Sequence, residues 1–81
     1  MAKLLQLSIS KVDASVFDGL VTSVTLPGSE GEMTILADHT ALITVLKAGV
    51  ITIVTEAGAK ETFDTMGGTL EISNNHATVL I

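Results

Sequence analysis

Hydrophobic and polar residues alternate along most of this chain with a period of two residues. In "LLQLSISK" the apolar residues Leu5, Leu7 and Ile9 alternate with polar ones, as a strand with one buried face requires. "LVTSVTL", "GTLEIS" and "ATVLI" show the same alternation. It predicts inward-facing side chains at Leu20, Val24, Leu26, Leu70, Ile72, Ala77, Val79 and Ile81. "GVITIVTE" is β-branched almost throughout, which favours a strand buried on both faces.

Turn residues separate these apolar runs at short intervals. The pairs are Pro27-Gly28, Ala57-Gly58, Gly67-Gly68 and Asn74-Asn75. At such pairs the chain can reverse, or adopt a positive φ, at low cost. Short strands joined by turns of this kind predict an all-β fold, an antiparallel sandwich or barrel.

One segment, from Leu36 to Ala48, fits two kinds of secondary structure. Leu42 and Leu46 are four residues apart and could mark one face of a helix. The neighbouring residues Ile43 and Val45 are β-branched, which favours a strand, and we predict a strand there.

Length and composition predict one small domain, residues 1–81, with an aliphatic core. A chain of this length buries only roughly 60% of the surface that its unfolded form exposes. Hydrophobic residues make up 47% of the chain and include two Phe but no Tyr or Trp. The chain has no Cys, which excludes a disulfide framework, a Cys-based zinc site and a thiol nucleophile.

The net charge is −5, from nine acidic residues against four lysines. Phosphate backbones and anionic membranes are bound by clustered cations, so we expect neither nucleic acid nor direct membrane docking. No run of about 18 uncharged apolar residues predicts a membrane span. The segment "MAKLLQLSISK" has too short an apolar stretch for a signal peptide, so we expect a soluble protein on the cytosolic side.

A search for catalytic chemistry yields no strong candidate. The serines lie in strand or turn contexts without the G-x-S-x-G elbow of a nucleophile, and we expect no catalytic residue. "PGSEGE" superficially resembles a phosphate-binding glycine loop, but Glu30 and Glu32 would repel the anion and no lysine follows. Two interpretations of this loop remain, a solvated turn and a contact surface for a cationic partner.

The two histidines give little further indication of a catalytic or metal site. His39 follows Asp38, and a carboxylate can orient an imidazole for metal or proton chemistry. A metal site needs three or four ligands, and none accompanies His39 at a suitable spacing. We therefore favour a structural or interface role for His39, expect no metal or cofactor, and place His76 on the surface after a hairpin turn.

Lys47 opens an alternative function. Biotinyl and lipoyl carrier domains are also acidic all-β modules of this size, with a modified lysine at a hairpin tip. They present it as Met-Lys-Met or Asp-Lys-Ala, whereas this chain has "LKAG". A carrier domain modified at Lys47 remains one alternative, and an unrelated β-sandwich binding module with a deep pocket is another.

Across residues 3–81 the chain resembles the N-terminal β-sandwich domain of the ATP synthase epsilon subunit, which is called delta in mitochondria. The resemblance lies in an ordered set of motifs: Phe-x-Gly before a strand, "GSEGE", a histidine, Lys-x-Gly, and "GGTLEISNN". They occur in the segments "VFDGLVTSVTLPGSEGEMTIL", "ALITVLKAGVITI" and "GGTLEISNNHATVL".

The resemblance implies a flattened antiparallel β-sandwich of about eight to ten short strands, at the foot of the central stalk. It implies a contact of the loop Ser29, Glu30, Gly31 and Glu32 with the arginine-bearing polar loops of the c ring. It also implies a contact with the gamma subunit. That contact comprises Lys11, His39, Thr40, Ala41, Leu42, Ile43 and Thr44.

The function implied by the resemblance is mechanical coupling without chemistry. The subunit would tie gamma to the c ring, so that ion-driven rotation of the ring turns the stalk. It would be a monomer when isolated and present as one copy in each complex. Its location would be peripheral, on the cytoplasmic face of the bacterial plasma membrane.

The chain departs from the family pattern in two places. Where the family usually has Leu-Pro-Gly-His-Ala-Pro-Leu, this chain has "LADHTAL", with Ala37 and Ala41 for the prolines and Asp38 for the glycine. Two fixed φ angles are thereby lost. Most members also continue into a helical hairpin that inhibits ATP hydrolysis, whereas this sequence ends at Ile81. Inhibition and ATP binding are therefore not expected here.

Overall fold

The computed structural model describes residues 3–81, and they form strands and turns. There are six strands: β1 (Leu5–Lys11), β2 (Ala14–Gly28), β3 (Gly31–Leu36), β4 (Leu42–Thr55), β5 (Lys60–Ser73) and β6 (His76–Leu80). Residues 3–81 contain no helix long and apolar enough to cross a membrane. The all-β prediction is confirmed. In the segment from Leu36 to Ala48 the strand interpretation is confirmed for residues 42–48, whereas residues 37–41 form the connection between β3 and β4.

The strands pair in the order β1-β6-β5-β4-β2-β3, and β1 also pairs with β2, so the arrangement closes on itself. Within residues 3–81, β3 pairs only with β2. Five pairs are antiparallel, as predicted, but β1 and β6 run parallel. Parallel neighbours need a long crossover connection, and here the whole chain between them supplies it.

Three long strands bend and contribute to two facing layers. The first layer comprises β1, β6, residues 14–21 of β2, residues 42–46 of β4 and residues 69–73 of β5. The second layer comprises β3, residues 23–28 of β2, residues 50–54 of β4 and residues 60–65 of β5. If each of the three bent strands is counted as two short strands, the sandwich has nine strands instead of six. This number agrees with the prediction of about eight to ten short strands.

Glycines allow the bends, and this changes the interpretation of Gly67-Gly68. The pair lies inside β5 and does not reverse the chain. A Cβ atom on Gly68 would overlap the carbonyl oxygen of Leu80, and one on Gly49 would lie 3.0 Å from the Cβ of Pro27. Gly68 therefore needs to be a residue without a side chain, and a side chain at Gly49 would press against Pro27 where the strands cross closely.

The other predicted turns have mixed outcomes. Ala57-Gly58 and Asn74-Asn75 lie in turns as predicted, with φ of 88° at Gly58 and positive φ at both asparagines. The prediction for Pro27-Gly28 is wrong, because these residues are the buried end of β2. The chain instead reverses at Ser29 and Glu30, since Gly31, with φ of 134°, can adopt the backbone that the hairpin requires.

The core is aliphatic and lies between the layers. Its members are Leu5, Leu7, Ile9, Val21, Val24, Leu26, Ile35, Leu46, Ile51, Ile53, Leu70, Ile72, Ala77 and Val79. Most inward-facing positions predicted from the alternation are confirmed, and Ile81 is half-buried beside this cluster. The core therefore follows from the period-two pattern of β1, β5 and β6.

Two core predictions are wrong. Leu20 is 42% exposed and Val21 is buried instead, because a register irregularity between Val21 and Ser23 reverses the side that alternate residues face. The segment around Val50 is buried on one face only, since Ile51 and Ile53 point inward while Val50 is 50% exposed. The outer face of the second layer is open to solvent there.

Candidate functional site

The acidic turn, residues Ser29–Glu32, closes the hairpin between β2 and β3. Gly28 pairs with Gly31, so only Ser29 and Glu30 form the loop between the strands. A Cβ atom on Gly28 would lie 2.7 Å from the carbonyl oxygen of Gly31, which requires glycine there. The backbone N–H of Ser29 donates to the carbonyl oxygen of Val45 at 3.0 Å. The turn is therefore tied to β4.

Two carboxylates give the acidic turn its chemistry. Glu30 and Glu32 are both exposed. Within residues 3–81 the one ion pair joins Lys3 to Asp38, so neither glutamate is neutralised by the described part of the chain. Two free carboxylates at a hairpin tip can accept charge-assisted hydrogen bonds from a basic partner.

The second predicted contact, segment 39–44, runs from the β3–β4 connection into β4. His39, Thr40 and Ala41 lie in the connection and are exposed. Leu42 packs partly against the core, whereas the side chain of Ile43 is 74% exposed. Ile43 is thus the apolar residue of this segment that a partner can bury.

The pairing of Asp38 with His39 that metal or proton chemistry would need does not form. The Asp38 carboxylate binds the ammonium of Lys3, with 2.9 Å between Oδ2 and Nζ, and this hydrogen bond raises the pKa of Lys3. The Nδ1–H of His39 donates to the carbonyl oxygen of Thr40 at 2.7 Å. Among residues 3–81 no group of three His, Cys, Asp or Glu side chains could hold a metal ion.

Sequence reasoning missed a polar network on the outer face of the first layer. The Oγ atom of Ser8 lies 3.0 Å from Nε2 of His76 and 3.5 Å from Oδ1 of Asp18, which also accepts a hydrogen bond from Gln6. In a nucleophilic triad the imidazole stands between the hydroxyl and the carboxylate, but here the hydroxyl stands between the other two. The network is not arranged to activate Ser8. The alternation of apolar and polar residues in β1 predicts that Ser8 faces outward. Its hydrogen-bond partners could not be predicted, because they depend on which strands lie next to β1.

Two grooves lie on this outer face, and both are shallow and open to solvent. One, of about 410 Å³, is lined by Ala41, Leu42, Ile43, Glu71, Ile72 and Ser73. The other, of about 320 Å³, is lined by Glu71, Ser73, Asn74, His76 and Thr78. Neither is the deep pocket with convergent polar groups that the binding-module alternative requires.

These features can be set beside known proteins. A family model described as the β-sandwich domain of the ATP synthase delta/epsilon chain matches residues 4–81. The chain belongs to this family. The ATP synthase epsilon chain of a Nitratiruptor species is 42% identical over 77 residues. The match covers 95% of this chain and 60% of that relative, so the chain spans less than two thirds of its length.

Solved structures of the same fold come from mitochondrial ATP synthases. A chain of the Euglena gracilis enzyme matches with a TM-score of 0.89 and 23% identity, over 95% of this chain and 49% of that chain. A chain in the central stalk and c-ring structure from Tetrahymena thermophila matches with a TM-score of 0.75 and 18% identity. That match covers 93% of this chain and 60% of the Tetrahymena chain. The sandwich is thus the fold of this family.

Asp38 lies where the resemblance leads us to expect a glycine, and its backbone is left-handed. Asp38 has φ of 61°, a conformation that glycine adopts without strain and aspartate tolerates. Its N–H donates to Oδ1 of Asn75 at 2.7 Å, and Nδ2 of Asn75 donates to the carbonyl oxygen of Leu4 at 2.8 Å. Asn75 therefore holds this loop in a family chain that lacks both prolines.

Lys11 does not lie beside segment 39–44. It is the last residue of β1, five positions after Gln6, which pairs with His76 next to the Asp38–Asn75 contact. Five strand residues span about 16 Å at the usual rise. Lys11 instead lies near the end of β6, where the N–H of Ile81 donates to the carbonyl oxygen of Ser10.

Lys47 is not presented as the carrier-domain alternative requires. It lies inside β4, paired with Gly67 of β5, and not at a hairpin tip. A modifying enzyme would have to reach a lysine in the middle of a hydrogen-bonded ladder. The geometry therefore removes the feature on which that alternative rested.

Proposed function

We propose that this chain is a non-catalytic subunit of the central stalk of an ATP synthase, where it couples the gamma subunit to the c ring. Family membership over residues 4–81, together with 42% identity to an epsilon chain, carries this proposal. Residues 1–81 act as one domain, present once in each complex and monomeric when isolated. The complex holds it peripherally, on the cytoplasmic face of the bacterial membrane.

The acidic turn is the proposed contact with the c ring. Its two exposed glutamates are not neutralised within residues 3–81, and the Ser29–Val45 hydrogen bond holds them at a fixed place. An arginine on a c-ring loop would form charge-assisted hydrogen bonds with them. Such contacts set orientation and association rate more than affinity.

Segment 39–44 is the proposed contact with gamma. Ile43 supplies exposed apolar area, and His39 and Thr40 supply a polar edge, which is the usual division between the centre and rim of an interface. Lys11 touches gamma separately, from the other end of the first layer.

The connection between the two contacts supports a mechanical role. The backbone bond from Ser29 to Val45 joins the acidic turn to the strand that begins in segment 39–44. A force on the turn therefore reaches β4 through a hydrogen-bonded ladder and not through a flexible linker. We also propose that the chain has no active site of its own, which agrees with the arrangement around Ser8 and His39.

Binding to the cognate gamma subunit tests the proposal. Ile43→Asp places a charge in the proposed contact at an exposed position that folding tolerates, and should weaken binding at least about tenfold. Leu36→Asp is the matched control, because Leu36 is an exposed leucine of the second layer, and it should bind as the wild type does. Absence of wild-type binding, or full binding by Ile43→Asp, would contradict the proposal.

A further inference from the structure

The side chain of Met33 covers the end of the core next to the acidic turn. Met33 pairs with Leu26, and Gly28 lies two residues after Leu26 on the same inner face. The Sδ atom of Met33 would lie 3.0 Å from a Cβ atom added to Gly28, so the thioether occupies the place that a side chain of Gly28 would fill. Leu26 and Gly28 are both buried, whereas Met33 is half-buried. Met33 therefore lies between this end of the core and solvent.

This position connects the thioether to the geometry of the acidic turn. Gly28 is the last residue of β2 and precedes Ser29, whose N–H donates to the carbonyl oxygen of Val45 at 3.0 Å. Met33 packs against the aliphatic core from the other strand of the same hairpin. A change of shape or polarity at Sδ therefore affects first the glycine at which the turn begins.

A thioether that solvent can reach can be oxidised to a sulfoxide. Hydrogen peroxide transfers one oxygen atom to Sδ: the sulfur lone pair forms the S–O bond, the O–O bond breaks, and the second oxygen takes the proton of the first and leaves as water. Sulfur is thereby oxidised by two electrons and the peroxide is reduced by two. The sulfoxide oxygen needs a hydrogen-bond donor, which an aliphatic core does not offer. The oxidised side chain of Met33 must turn towards solvent, and Gly28 then loses its cover.

Met66 provides the contrast within the same chain. Its side chain is 93% exposed, so both the thioether and the sulfoxide lie in water. Oxidation of Met66 should therefore leave the stability of the fold unchanged. Susceptibility to oxidation follows exposure, so Met66 should react before Met33.

We propose that Met33 is an oxidation-sensitive modification site, and that its conversion to the sulfoxide by a peroxide uncovers Gly28 and loosens the acidic turn. The change is reversible, because methionine sulfoxide reductases return the sulfoxide to the thioether. The inference depends on the packing of the hairpin and not on the proposed c-ring contact, so either can fail without the other.

Peroxide treatment of the folded chain, followed by peptide mass spectrometry and thermal unfolding, tests the inference. Oxygen on Met66 alone should leave the unfolding midpoint within about 1 °C of untreated protein, and further oxygen on Met33 should lower it by at least about 4 °C. Met33→Leu keeps a similar apolar volume without the sulfur, so its midpoint should not fall after the same treatment. Met66→Leu is the matched control, and its midpoint should still fall as Met33 is oxidised.

Amide hydrogen exchange locates the effect within the molecule. The N–H of Ser29 in the acidic turn donates to Val45 at 3.0 Å, and the N–H of Gly58 in the β4–β5 turn donates to Thr55 at 2.9 Å. Oxidation of Met33 should speed exchange at Ser29 at least about tenfold and change exchange at Gly58 by less than about twofold. Treatment with the reductases should restore slow exchange at Ser29.

Several results would overturn the inference. One is that the folded chain takes up no oxygen on Met33. Another is an unchanged midpoint and unchanged exchange at Ser29 in protein that carries the sulfoxide at Met33. An equal fall of the midpoint in peroxide-treated Met33→Leu would also overturn it, as would equal acceleration at Ser29 and Gly58, since the effect would then not belong to the acidic turn.

Discussion

Asp38 and Asn75 show how single residues hold the loop that leads into the proposed gamma contact. Asp38 occupies a left-handed conformation, which glycine adopts more readily than aspartate, and Asn75 ties it to the N-terminal segment through Leu4. The loop is thus fixed by side-chain hydrogen bonds and not by prolines. The sequence pointed to a looser loop, because the partner of Asp38 lies 37 residues away.

Two substitutions of Asp38 separate the effect of backbone strain on stability from the effect of losing the ion pair with Lys3. Asp38→Ala should lower the free energy of unfolding by about 1 kcal/mol, since alanine with its Cβ does not tolerate this φ. Asp38→Gly removes the same carboxylate and relieves the strain, so its stability should stay within about 0.5 kcal/mol of the wild type. Urea denaturation measures both. Equal losses would show that φ does not matter here.

The two asparagines of the β5–β6 turn differ in their side-chain bonds. Asn75→Gly keeps the positive φ but loses both hydrogen bonds, and should destabilise the protein by about 2 kcal/mol. Asn74→Gly tests the same turn at a residue with φ of 51°, and should change stability by less than about 0.5 kcal/mol. The thermal unfolding midpoints of the two variants test this difference. Similar midpoints would contradict the role given to the side chain of Asn75.

Bent strands are the elements that shape this sandwich, and at Gly68 in β5 the backbone passes very close to the end of β6. Gly68→Ala would push Cβ into the carbonyl oxygen of Leu80, so we expect a loss of more than about 3 kcal/mol or no folded protein. Gly58→Ala is the control, because Gly58 also has a positive φ but has nothing within 4 Å of its added Cβ. It should cost only about 1 kcal/mol. Comparable stability of the two variants would refute this account.

Alternation in the sequence predicts which elements are strands but not where a strand changes layer. Leu5, Leu7 and Ile9 face inward as expected, because β1 stays in one layer throughout. Leu20 does not, because an irregularity in β2 shifts the inward position to Val21. The parallel pairing of β1 with β6 also escapes a period-two pattern, which carries no information about partners.

For the whole molecule, the acidic turn should determine attachment to the c ring. Glu30→Lys/Glu32→Lys should weaken binding to detergent-solubilised c ring at least about tenfold and leave gamma binding within about twofold. Glu56→Lys/Glu61→Lys makes the same charge change at exposed residues of the β4–β5 hairpin and should leave both affinities unchanged. Loss of gamma binding in the first variant, or of c-ring binding in the second, would contradict this assignment.

How much of the proposed interaction site could be predicted from the sequence depends on how far apart its residues lie along the chain. The exposed charge of the acidic turn was predictable, because it follows from the local sequence pattern. Ile43 was named only through the family resemblance, and its exposure of 74% is seen only in the fold. The closeness of the exposed residues Val45 and Leu80 was not predictable, because they come together only when β4, β5 and β6 lie side by side. The separation of Lys11 from segment 39–44 likewise depends on strand order.

Formation of a ternary complex tests coupling most directly. Purified gamma subunit and immobilised c ring are mixed with and without the 81-residue chain, and the gamma retained on the ring is measured. The account predicts that the chain raises retention at least about tenfold, because it binds both partners at once. It predicts no increase with the Glu30→Lys/Glu32→Lys variant. Equal retention of gamma with and without the wild-type chain would contradict its role as a coupling subunit.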